Sequence, residues 1–138
     1  MASRNSLRRL IFLLLVGWQL INESITPLLE GRVVYRDYKR DNSNETLQII
    51  LTEGDEVGGL YIPDKVNEAK GVLPNESGYE ILEVAGKKAL IENKPYMPLA
   101  LAVHVDENTT LTIESPSLNR DELINIATQI LYNTSENL

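Results

Sequence analysis

The stretch that carries the fold is Leu99-Ala-Leu-Ala-Val-His-Val105, Asp106-Glu-Asn108, Thr109-Thr-Leu-Thr-Ile-Glu114, followed by Leu118-Asn-Arg-Asp-Glu-Leu-Ile-Asn-Ile-Ala127. Leu99, Leu101, Val103 and Val105 recur at every second position, as do Leu111 and Ile113, so each run offers one apolar face when extended. Thr110, Thr112 and Glu114 fall on the other side, and the polar triplet 106–108 turns the chain. Two such runs predict a hairpin with a dry face and a wetter one. The period then changes: Leu123, Ile126, Ala127, Ile130 and Leu131 form a stripe with helical spacing. Asn119 with Glu122 three residues on has the form of a capping box, with Asn in place of Ser or Thr. Asp121 and Glu122 suit the positive end of a helix. This helix is expected across the dry side of the sheet, where its large aliphatic side chains contribute on the order of 6 to 12 kcal/mol before chain entropy is counted.

Working outward, the same logic predicts two more hairpins. Tyr79 to Val84 and Lys88 to Glu92 flank Ala85-Gly86-Lys87, where Gly86 supplies the positive φ of a tight turn. Residues 32–38 and 46–52 flank a polar turn at 39–45, with Val33 and Tyr35 on one face of the first strand and Val34, Arg36 and Tyr38 on the other. Residues 25–31 read as a connector because Pro27 disfavours a helix, residues 53–59 as a glycine-rich loop, residues 60–62 as a short strand and residues 64–70 as a helical turn or two. The expected class is α+β: a curved antiparallel sheet of about six strands built from hairpins, a C-terminal helix on its apolar face, and an N-terminal hydrophobic helix.

That last element rests on residues 1–24. Arg4, Arg8 and Arg9 precede the apolar run Leu10 to Trp18, and Gln19, Asn22, Glu23 and Ser24 close it. Basic flank and length suit a secretory leader. A bilayer span needs roughly 20 apolar residues, and no pair of small residues marks a cleavage site, so a removed leader and a retained anchor both stay open. The recurrence of Leu7, Leu10, Leu14, Trp18 and Ile21 also fits a core helix. The expected division is a signal-like or anchoring segment at 1–24, associating with membrane through residues 10–21, and a single α+β domain at 25–138. Acceptor patterns for N-linked sugar at Asn22, Asn44, Asn75, Asn108 and Asn133 agree with an exported domain, and Asn44, Asn75, Asn108 and Asn133 are expected on exposed loops.

Composition removes several function classes. The net charge is −7, and without the three leader arginines 10 basic residues face 20 acidic ones, a surface that repels nucleic-acid backbones. Zero cysteine excludes disulfides and thiolate chemistry, and one histidine, His104, cannot make a two-histidine metal site. Asp55-Glu56, Glu80 with Glu83, and Asp106-Glu107 lack the spacing of a calcium loop. Gly54, Gly58 and Gly59 lack the lysine of a phosphate loop. No cofactor, metal or catalytic residue is therefore expected. Carboxylate hydrolysis through Glu80, Glu83 and Glu114 is the enzymatic alternative. Tyr35, Tyr38, Tyr61 and Tyr79 are the candidates for lining an apolar cleft between sheet and helix.

Residues 79–131 also carry a resemblance. The turn Val84-Ala-Gly-Lys87 and the helix Leu118-Asn-Arg-Asp-Glu-Leu-Ile-Asn-Ile-Ala127 resemble small extracytoplasmic domains of unknown function. Those domains follow a single membrane segment in anti-sigma-factor-like and sporulation-type proteins and are related to the lipoprotein-carrier superfamily. The resemblance implies a curved sheet wrapping a helix and brings no catalytic residue. Leu99 to Val105 lacks the aromatic-rich, Trp-containing strand common in that family. The expected function is non-enzymatic: an extracytoplasmic binding or sensory domain for a peptide, lipid or protein partner, secreted or membrane-anchored. The alternative is an intracellular protein whose N-terminal apolar helix belongs to the core or to an oligomer interface.

Overall fold

The computed structural model describes residues 15–54, 79–93, 96–106 and 108–136. Among these residues seven strands, β1 (Trp18–Leu28), β2 (Gly31–Arg40), β3 (Thr46–Gly54), β4 (Tyr79–Val84), β5 (Lys87–Glu92), β6 (Leu99–Asp106) and β7 (Thr109–Ser115), precede one helix, α1 (Arg120–Glu136). They form one antiparallel sheet in the order β1-β2-β3-β7-β6-β5-β4. Two meanders, β1 to β3 and β4 to β7, thus join where β7 pairs with β3, with Ile49 opposite Ile113 and Leu51 opposite Leu111.

The three expected hairpins are present, and alternation sets their faces. Leu47, Ile49, Leu51, Leu101, Val103, Leu111 and Ile113 are buried on one side, and Leu123, Ile126, Ala127, Ile130 and Leu131 of α1 are buried with them in a single cluster. Thr112 and Glu114 face away, half-buried. At the β4–β5 turn Ala85 (φ 52°) and Gly86 (φ 77°) both sit in the left-handed region between the paired Val84 and Lys87. That is a type I′ connection, whose twist matches the strands it joins.

The helix starts as its sequence dictates. The Glu122 N–H donates to Asn119 Oδ1 at 2.9 Å, and the Asn119 N–H donates to Glu122 Oε1 at 3.2 Å. Leu118 before the cap and Leu123 after it are both buried, the arrangement of a hydrophobic staple. Ser115 makes the turn into the helix: its hydroxyl donates to the Thr46 carbonyl (2.6 Å) and accepts from the Ser117 and Leu118 N–H groups (both 3.1 Å).

The N-terminal region departs from expectation. Residues 18–28, assigned from sequence to a leader and a connector, form β1, the edge strand, in register with β2 from Trp18 opposite Arg40 to Leu28 opposite Gly31. No N-terminal hydrophobic helix is present among the described residues: Leu15 to Gly17 make a turn into β1, and residues 1–14, like 60–62 and 64–70, lie outside them. The apolar run dominated the pattern, but from Gln19 onward polar residues interrupt it, and β2 supplies the partner that makes an extended chain worthwhile. Pro27 is accommodated because Leu28 and Gly31 close a two-residue loop. That places its missing N–H on the outer, unpaired side of an edge strand.

β3 also runs two residues further than predicted, through Glu53, which is buried and ion-paired with Arg32, to Gly54. Gly31 and Gly54 lie opposite each other there, and a Cβ on Gly31 would come within 1.9 Å of the Glu53 carbonyl oxygen.

Candidate functional site

Because α1 lies on one face of the sheet, the polar groups gather on the other. The register sets Asn22, Asp37, Gln48, Glu114, Ala100 and Glu92 in one row across β1, β2, β3, β7, β6 and β5. The adjacent row is Ser24, Tyr35, Ile50, Thr112, Ala102, Leu90 and Ile81, largely apolar. Neighbouring strands stand about 4.8 Å apart, so the three carboxylates follow one another at roughly 10 Å.

Their electrostatics are uneven. Asp37 is held in place by two amides: Gln48 Nε2 donates to Oδ1 at 2.9 Å and Asn22 Nδ2 to Oδ2 at 3.4 Å. Glu114 has no hydrogen bond or ion pair among the described residues. Partial burial pushes its carboxyl above the ordinary range, and the negative charges of Glu92 and Asp37 push it further in the same direction. The row therefore favours a positive charge placed against it.

The tyrosines expected to share a cleft do not all meet. Tyr38 is buried in the core cluster on the face that carries α1, whereas Tyr35 is half-buried on the opposite face, beside the carboxylate row. Tyr61 lies outside the described residues. Tyr79 opens β4 with its backbone opposite Glu92, and its side chain is outside the described set.

The carboxylates Glu80, Glu83 and Glu114 do not converge either. Glu80 takes the α1 side of β4, where Arg120 donates to it through Nε (2.8 Å) and a terminal nitrogen (2.5 Å). Those bonds hold its carboxyl below the ordinary range, against the opposing effect of burial. Glu83 is exposed on β4, with its backbone opposite Lys88.

His104, the single histidine, is half-buried opposite Thr110, and its Nε2 is enclosed without a hydrogen-bond partner among the described residues. Among the candidate sugar acceptors, Asn44 and Asn108 stand exposed in the β2–β3 and β6–β7 turns. Asn75 lies outside the described residues. Asn133 belongs to α1 and not to a loop, because the helix runs on to Glu136.

Asp37, Gln48 and Glu92 were not singled out from sequence. Their alternation showed which face each takes, but only the β3–β7 and β5–β6 registers set them level with Glu114. Among the described residues no group of His, Cys, Asp and Glu has the geometry of a metal site, and no helix is long and apolar enough to cross a membrane. Neither a family model, nor a curated protein, nor a solved structure matches this chain.

Proposed function

We propose that the protein is a non-enzymatic, extracytoplasmic binding or sensory domain whose partner is a protein segment bearing basic side chains. The segment lies against the row Asp37, Glu114 and Glu92. The observation that carries this reading is the crowding of like charge: Glu114 is kept in a partly desolvated place between two other carboxylates, an arrangement that a bound cation relieves. The half-buried Tyr35 and the apolar row beside it offer the partner's uncharged side chains a surface. The arginine-led leader and the exposed acceptor residues Asn44 and Asn108 support placement outside the cytoplasm.

Two short fluorescent peptides of alternating pattern, one Lys-Val and one Glu-Val, test the site by anisotropy. The lysine peptide is expected to bind, to weaken with added salt, and to lose roughly tenfold or more in affinity, about 1.4 kcal/mol, on the Asp37→Asn, Glu114→Gln double variant. Equal binding of both peptides, or an unchanged affinity in the double variant, removes the reading. Anionic vesicles serve as the lipid control, and binding to them in preference to the peptide also counts against it.

One observation favours the intracellular alternative. Leu15 is in the core and Trp18–Leu28 is in the sheet, so part of the basic-apolar start belongs to the fold, as a turn and a strand and not as a helix. Fractionation of the native protein separates the two compartments.

A further inference from the structure

The point where the leader meets the sheet is tied down at successive residues. Leu15 is buried in the core cluster, 7% exposed, although its φ of 70° is a conformation that a leucine rarely adopts. Its carbonyl accepts from the Trp18 N–H at 3.0 Å, and the Gly17 carbonyl accepts from the Asp41 N–H at 2.8 Å. The Arg40 guanidinium lies over the Trp18 ring, 4.9 Å from its centroid, while pairing with Glu45 (2.8 Å) and approaching Glu122 of the α1 cap (3.6 Å). Val16, between these anchors, is fully exposed. The turn at 15–17 is thus fastened to the core and to the β2–β3 turn, and Arg40 connects the first residue of β1 with the start of α1.

A leader is cut after its apolar run, beside small residues. Here that means near Gly17, close to the end of the run, or Ser24, beyond it. A cut at Gly17 frees Leu15 from the core. One after Ser24 also takes away Trp18 to Ser24, the part of β1 that pairs with Tyr35 to Arg40 of β2. A cut ahead of Leu15 fares no better: residues 10–15 are Leu, Ile, Phe, Leu, Leu and Leu, with nothing small among them.

We infer that the basic-apolar leader is never removed: the folded protein keeps it, and the chain passes from leader into sheet with no linker between. The inference does not depend on the carboxylate row, since a basic-peptide site can fail while the N-terminus stays intact.

Intact mass and N-terminal sequencing of the protein from its native cell test it directly. The expected N-terminus lies ahead of Leu10, and a terminus anywhere from Leu10 to Ile25 overturns the inference. A second measurement uses the full chain: Leu15→Asp is expected to lower the melting temperature by roughly 5 °C or more, whereas Val16→Asp leaves it within about a degree. Equal effects of the two substitutions, or none from Leu15→Asp, overturn the claim that the junction belongs to the fold.

Discussion

At Glu114 an ordinary carboxylate becomes a pH-dependent element of stability. Its pKa is raised in the folded state, first by desolvation and then by Glu92 and Asp37, so the native form holds its proton more tightly than the unfolded chain. Stability from this group is fully present below the ordinary carboxylate pKa and is lost as pH rises through the higher folded value. Glu114→Gln is therefore expected to raise the melting temperature at neutral pH, by a few degrees at most, and to leave it unchanged in acid. A melting series from pH 3 to 8 on both proteins reads this; a variant destabilised at neutral pH contradicts it. Glu80 has the opposite sign, because its bonds to Arg120 stabilise the ionised form and are lost as pH falls through its lowered pKa. The two carboxylates look alike in sequence. Strand parity separates them, one toward the N-terminus of α1 and one toward other acids.

At the scale of elements, α1 and the β6–β7 hairpin were legible because each repeats one simple signal. The alternation of Leu101, Val103, Leu111 and Ile113 and the stripe from Leu123 to Leu131 face each other across one core. Leu123 is fully buried, so Leu123→Ala is expected to cost about 2 to 5 kcal/mol. Asn119→Ala removes the exposed capping bond alone and costs about 1 kcal/mol. Denaturant midpoints compare the two, and a cap that matters more than the core residue speaks against this packing. β1 was not legible for the converse reason. Its residues bury little, nine of its eleven being exposed, so it has no apolar alternation to read. It exists because β2 offers a paired edge, and a partner strand is invisible to local pattern.

At the scale of the whole molecule, the described residues form two meanders sharing one core. Neither has a second apolar layer of its own among the described residues, since α1 lies over strands from the second and its stripe joins a cluster that extends to Val34 and Tyr38 of the first. Removing residues 119–138 is expected to abolish the cooperative transition altogether, because the burial lost with α1, on the order of 6 to 12 kcal/mol, matches the roughly 5 to 15 kcal/mol by which domains are stable. Circular dichroism of the truncated protein checks this, and a sharp melt would show that the sheet stands without its helix.

The sequence by itself determined the class, α+β, the three hairpins, the capped helix and the faces of their alternating strands, because all of these follow from local periodicity and from turn chemistry. It also set the acidic balance and the absence of thiol chemistry. Only the tertiary structure decided that Trp18–Leu28 is a strand, that Leu15 belongs to the core, and that Asp37, Glu114 and Glu92 form one row. The reason is physical: strand parity is fixed by the chain's own geometry. Which residues stand level across a sheet depends instead on pairings between segments more than sixty residues apart, such as Gln48 with Glu114, and no local pattern encodes that register.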